Sequence, residues 1–339
     1  MLKLFSQLFG LSLVGGSVFS AWLWTDYQDF LETPISLPSN THFEIQSGRS
    51  IKHIARQLSQ QNIIRSARYF EWMARLSGQS THIKAGEYAL KTGTPEALLS
   101  QFIAGKTHQY TLAVIEGWAV KDLIQAISAS PHLKHDLHDP TPAHIMTALN
   151  YPGHPEGRFY PDTYHFPKGM TDTAFLRRAY QKMQHTLQQE WDNRSLDLPL
   201  KNAYEALILA SIVEKETGLP EERHTVAGVF INRLNKGMRL QTDPTVIYGM
   251  GATYQGNIRK KDLRQRTPYN TYVIPGLPPT PIALPSQAAI HATLHPEQHR
   301  YLYFVATGVG GHTFSKTYKA HNRAVKAYLK QLRRNASKH

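Results

Sequence analysis

Tyr204-Glu205-Ala206-Leu207-Ile208-Leu209-Ala210-Ser211-Ile212-Val213-Glu214-Lys215-Glu216-Thr217-Gly218 is the stretch on which the reading of this chain turns. From Ala206 to Val213 it is apolar nearly all round, and a helix of that kind is buried on most sides. Gly218 then stops it, with Pro220 beyond. Glu214 and Glu216 fall at its carboxyl end, where apolar surroundings and the negative end of the helix dipole both disfavour an ionised carboxylate. A glutamic acid with a near-neutral pKa is suited to protonating a leaving oxygen. The helical neighbours of Glu216 at i−3, i−4 and i−7 are Val213, Ile212 and Leu209, whereas those of Glu214 are the smaller and more polar Ser211, Ala210 and Leu207. The spacing therefore selects Glu216 as the acid and leaves Glu214 as a structural partner for a cation such as Lys215 or Arg233. Carboxylates at helix ends are also common as purely structural groups.

Downstream, Val229–Leu234, Gly237–Gly249, Thr267–Tyr272 and Gly276–Pro279 mix amides, hydroxyls and aromatics on turn-rich backbone. That inventory suits a cleft reading a polyhydroxylated, amide-bearing ligand, although Gly, Pro and Asn also simply make turns. Asn232, Gln241, Thr242, Asp243, Tyr248, Asn270 and Tyr272, together with Glu214, are the candidate substrate contacts. Upstream, a strand through Phe43 and Ile45, helices opened by Ser50, Ser66 and Thr94, and a second strand after Ala85 make a compact module over 41–106 with Gly105 as its last stop. Another strand is expected over Tyr110–Ile115 and an amphipathic helix over Thr173–Leu187. His132, His135 and His138 match no zinc signature, and His295 and His299 lack the glutamate of an HExxH motif. No metal and no cofactor is expected.

From Leu4 to Thr25 there is no formal charge. A helix of that length covers about 33 Å, enough for a hydrocarbon core of about 30 Å. Lys3 precedes it and Trp22, Trp24 and Tyr27 crowd its far end, the flanks of a single span with its amino end inside. Ser6, Gln7, Gly10, Ser12, Gly15, Gly16 and Ser17 dilute it, so a cleaved signal peptide is the alternative, although Phe19-Ser20-Ala21 is a poor cleavage site. The expected organisation is an anchor over 1–25, a Pro-containing linker over 26–40, the module over 41–106 and a larger domain over 107–339, an α+β protein. The chain has 339 residues, no cysteine, and 38 Lys+Arg against 25 Asp+Glu for a net charge of +13. The missing cysteines exclude a disulfide framework, a thiolate metal site and a cysteine nucleophile. The positive balance suggests an anionic partner, and the amino-terminal span argues against nucleic acid. After Glu297 come nine Lys/Arg and no acid, usually a solvated helix face.

The strings SIVEKETG, VFINRLNKGMRLQTDPTVIYGMG, TPYNTYVIPGLPP, YLYFVATGVGGHTFSKTYKAHNRAV and EGRFYPDTYHFPKG resemble the endolytic murein transglycosylase (MltG or YceG-like) family, over almost the whole chain after residue 25. The resemblance implies a single-pass inner-membrane protein with a LysM-like βααβ module and a periplasmic catalytic domain. It implies cleavage of the MurNAc–GlcNAc bond within nascent peptidoglycan, forming a 1,6-anhydro product and limiting strand length. It places the essential acid on Glu216, and suggests peptidoglycan synthases and inner-membrane lipid as partners beside the glycan strands. A water-using muramidase, with Asp243 opposite Glu216, and a non-catalytic wall-binding scaffold are the rival readings.

Overall fold

A computed structural model describes residues 2–336 of the chain, with side chains from 14 to 334. The chain divides into two compact units, one running to Tyr110 and including His165–Lys168, the other made of Thr111–Tyr164 and the residues from Gly169 on.

The first unit comprises α1 (Leu2–Glu32), β1 (His42–Ile45), α2 (Ile51–Gln60), α3 (Ala67–Leu76), β2 (Gly86–Ala89) and α4 (Pro95–Ala104). Each short helix starts where the sequence supplies a hydroxyl. Ser50, Ser66 and Thr94 accept from the backbone N–H of His53, Tyr69 and Ala97, satisfying donors that the first turn leaves orphaned. Gly105 ends α4 at φ +67°, a left-handed conformation that costs glycine little. The apolar stripes Ile51, Ile54, Ala55, Leu58 and Phe70, Met73, Ala74 then close on the antiparallel β1–β2 pair, in which Phe43 sits opposite Tyr88. Phe102 stacks on Phe43 with ring centroids 5.9 Å apart and meets Tyr88 edge-on at 4.8 Å. The carboxyl end of α1 docks onto this core through Phe30, while Asp26 accepts from the Tyr69 hydroxyl at 2.7 Å and Arg65 reaches Asp29 at 2.8 Å.

Although α1 is 31 residues long, no helix among the described residues is long and apolar enough to cross a membrane. The serines, glycines and glutamine of its first half lower its apolar density, and Asp26, Asp29 and Glu32 follow. The side chains of residues 1–13, Lys3 among them, lie outside the described ones, as does Lys338.

The second unit begins within β3 (Gln109–Ala113), which pairs with β4 (Thr163–Pro167). It holds α5 (Val120–Ser128), α6 (Pro142–Leu149), α7 (Asp172–Asp192), α8 (Ala203–Glu216), α9 (Arg223–Asn235), α10 (Asp243–Met250), α11 (Gln287–Leu294), the antiparallel hairpin β5 (Tyr303–Ala306) and β6 (His312–Ser315), and α12 (Tyr318–Ala336). Small two-stranded sheets among many helices make this an α+β architecture. The expected strand over Tyr110–Ile115 ends two residues early, and the expected helix over Thr173–Leu187 runs on to Asp192. At the centre is α8, with every residue from Ala206 to Val213 buried and α7, α9 and α11 packed around it. Its one polar core residue, Ser211, is satisfied twice, donating to the Ile208 carbonyl at 2.7 Å and accepting from the Ile282 N–H at 3.0 Å.

Candidate functional site

Because α8 is held on all sides, its last residue is held too, and that residue is Glu216. Its carboxyl is part-buried in a cleft of about 270 Å³ lined by Arg233, Leu240, Gln241, Asp243, Tyr272, Tyr303, Phe304, Tyr318 and His321. The floor comes from α8 and α9, one wall from the approach to α10, and the other from β5 and α12.

Burial pushes the Glu216 carboxyl up to about 7, against a hydrogen bond from the Thr242 hydroxyl, which favours the ionised form. The negative charge of Asp243 adds to the rise, while His312 and Arg233 oppose it. At neutral pH the carboxyl is thus poised between giving and taking a proton.

The segment before α10 aims Thr242. Gln241 takes a left-handed backbone at φ +51°, uncommon for a residue with a side chain, and its N–H bonds the Thr271 carbonyl. The Thr242 N–H is held by the Thr271 hydroxyl at 3.0 Å. Thr242 makes no side-chain cap to α10, so its hydroxyl is left for Glu216. Asp243 accepts from the Tyr272 hydroxyl at 2.6 Å, and burial with that carboxylate beside it pushes the phenol up, so Tyr272 stays a donor.

Arg233 is buried, yet it pairs with no carboxylate among the described residues. It donates to the carbonyls of Leu302 at 2.6 Å and Leu240 at 2.7 Å, tying β5 and the α10 approach to α9. Glu214 takes neither Lys215 nor Arg233 as its partner. Its Oε2 accepts from the Ser286 N–H at 2.9 Å and hydroxyl at 2.5 Å, fixing the residue that caps α11. The neighbours of both glutamates, Leu207, Ala210 and Ser211 as well as Leu209, Ile212 and Val213, are fully buried. The two therefore differ in their partners rather than in the greasiness of the helix face beneath them. Glu214 is engaged through Oε2 by a cap, whereas Glu216 takes one hydroxyl and faces an open cleft.

Of the sequence candidates, the fold brings Glu216, Gln241, Thr242, Asp243 and Tyr272 together. Asn232 spends its amide on the carbonyls of His299 and Tyr301. Asn270 donates to the carbonyls of Asp262 and Gln265 and accepts from the Tyr272 N–H, which makes it the brace of a turn. Tyr248 faces a different cavity, of about 800 Å³, and donates to Glu156 at 2.9 Å. Glu156 is 4% exposed, and burial pushes its carboxyl up to about 7. Sequence reasoning passed over Glu156, although a carboxylate followed by Phe159 and Tyr160 in EGRFYPDTYHFPKG was a visible signal. It also passed over Tyr303, Phe304, Tyr318 and His321, which lie in the basic segment read as a solvated face. Tyr303 stacks on His321 at 5.2 Å, and the buried His321 Nδ1 has no hydrogen-bond partner among the described residues. Near the other histidines, His135 bonds Asp172 at 3.1 Å.

Residues 43–327 match the model of the YceG-like family. The chain is 31% identical to the endolytic murein transglycosylase of Bacillus subtilis (strain 168), over 89% of each chain. It is 27% identical to the endolytic murein transglycosylase of Streptococcus pneumoniae serotype 2, covering 91% of this chain and 62% of that one. The crystal structure of a YceG-like protein from Listeria monocytogenes superposes with a TM-score of 0.53 at 30% identity, covering 84% of this chain and 98% of that one.

Proposed function

Because the chain belongs to the YceG-like family, we propose that it is a lytic transglycosylase that cuts peptidoglycan within its glycan strands. The observation that carries the reading is the Glu216 carboxyl, buried enough to titrate near neutrality yet open to a cleft walled by tyrosines. Protonated Glu216 gives its proton to the oxygen between MurNAc and GlcNAc, and the C1–O bond breaks toward a cationic sugar. The resulting carboxylate, stabilised by the Thr242 hydroxyl, takes the proton of the C6 hydroxyl, whose oxygen closes onto C1 as a 1,6-anhydro ring. The acid is thereby restored, and neither water nor a second carboxylate takes part. Tyr272, Tyr303 and Tyr318 offer ring faces to sugars, and the Gln241 amide and the unpartnered His321 nitrogen offer polar contacts to N-acetyl and hydroxyl groups.

One observation favours a second reading. Asp243 lines the same cleft as Glu216, and a carboxylate able to activate water there would make the enzyme a muramidase. Against it, Asp243 already accepts from Tyr272.

Placement at the inner membrane, with the catalytic domain periplasmic, belongs to the same proposal. It is supported by the uncharged run Leu4–Thr25 and by the exposed Val14, Val18, Phe19, Trp22 and Trp24 on α1. The β–α–α–β order of the first unit supports a LysM-like role in holding glycan, and nascent strands at the membrane would bring peptidoglycan synthases within reach. The test is cleavage of purified glycan strands by wild type and Glu216→Gln. Loss of cutting in a folded variant supports the assignment, and undiminished cutting overturns it.

A further inference from the structure

The spacing of His295 and His299 carries no metal signature, but the fold joins His295 to different residues. His291, on α11, and His295, its C-cap, are one turn apart, with ring centroids 4.3 Å from each other. From α7, Glu190 reaches across to place Oε2 2.8 Å from His291 Nδ1. One ligand atom from each of Glu190, His291 and His295 lies within 4.8 Å of the other two. A further ring, His224 of α9, stands 5.7 Å from His291, and its Nδ1 is engaged by the His295 carbonyl at 2.7 Å, which leaves Nε2 to bind.

We infer that Glu190, His291 and His295 form a binding site for a divalent transition-metal ion of the zinc class, with His224 as a candidate fourth ligand. The donor chemistry selects the ion. Two imidazoles and one carboxylate suit zinc, nickel or copper, whereas calcium and magnesium take oxygen sets. Tetrahedral zinc with bonds near 2.0–2.1 Å needs its donors about 3.3 Å apart, so the three donors, now all within 4.8 Å of one another, have to close further around the ion. The side chains are graded in exposure, Glu190 at 13% and His291 at 46%, so an ion can enter from solvent and still meet an anchored carboxylate. Glu190 is fixed from a second direction by Gln287 Nε2 at 2.9 Å.

An ion at this site would fasten α7 to α11. The opposite end of α11 is capped by Ser286, which Glu214 holds two residues before Glu216. The metal would therefore brace the helices packed behind the acid without touching the cleft.

The test is calorimetric titration of the metal-stripped, untagged full chain with Zn²⁺, beside His291→Ala, His295→Ala, Glu190→Gln and the double histidine variant. One saturable site is expected in wild type. Each single change should weaken it at least about tenfold, since even outer-shell partners are worth that much, and the double change should remove it. Co²⁺ bound to wild type should show the absorption of nitrogen–oxygen coordination. Glu190→Gln keeps the shape of the site, so its loss of affinity is read on a folded protein. Affinity unchanged in the double variant, or no saturable binding in wild type, overturns the assignment.

Discussion

Replacing Glu216 by Gln should make the protein more stable, and by an amount that depends on pH. The folded carboxyl titrates at about 7 against 4.5 for an unperturbed glutamate. The unfolded chain therefore releases that proton first as pH rises, and the native state carries a growing penalty between those two values. The full gap corresponds to about 3 kcal/mol, and the part-exposed position of the group brings the expected figure to about 1–3 kcal/mol. Gln keeps the shape and can still accept from Thr242, so the variant removes the penalty with little other loss. At pH 8 the variant should melt roughly 2–6 °C above wild type, whereas near pH 4.5 the two should nearly coincide. Thermal unfolding followed by circular dichroism across that range reads the difference. A variant no more stable than wild type at pH 8, or an offset constant with pH, would refute the claim that desolvation holds this carboxyl un-ionised.

Two substitutions should move the alkaline limb of the pH–rate profile in opposite directions. Thr242→Val removes the donor that favours the carboxylate, so the limb shifts up; Asp243→Asn removes a neighbouring negative charge, so it shifts down, each by about one pH unit. Arg233→Met should cost about 3 kcal/mol in denaturant unfolding, because buried carbonyls on Leu302 and Leu240 lose their donor. Asn270→Ala should lower stability by about 2 kcal/mol and leave KM of the folded enzyme unchanged, since its amide braces a turn instead of touching substrate.

Much of this was legible in the chain because it is local. Hydroxyls ahead of apolar stripes mark Ser50, Ser66 and Thr94 as caps, and an all-round apolar run marks α8 as central. Glu216 could be picked out, yet the contrast drawn between helix faces is not what separates it from Glu214, because burial is equal on both. The separation comes from Ser286, 72 residues downstream of Glu214, and no spacing rule reaches that far. The same holds for the far wall of the cleft. Tyr318 and His321 stand on a helix whose composition says only that it is basic, and they face Glu216 through tertiary packing alone. Asn232 and Asn270 show the converse, in that an amide in a turn-rich run advertises ligand contact but is consumed by nearby carbonyls.

Mass spectrometry of the fragments that wild-type protein releases from purified, uncrosslinked glycan strands distinguishes intramolecular ring closure from hydrolysis. Internal fragments ending in 1,6-anhydro-MurNAc are the predicted result. Reducing-end MurNAc in their place would mean that water, and not the sugar's own C6 hydroxyl, completes the reaction, and would contradict the single-carboxyl mechanism built on Glu216.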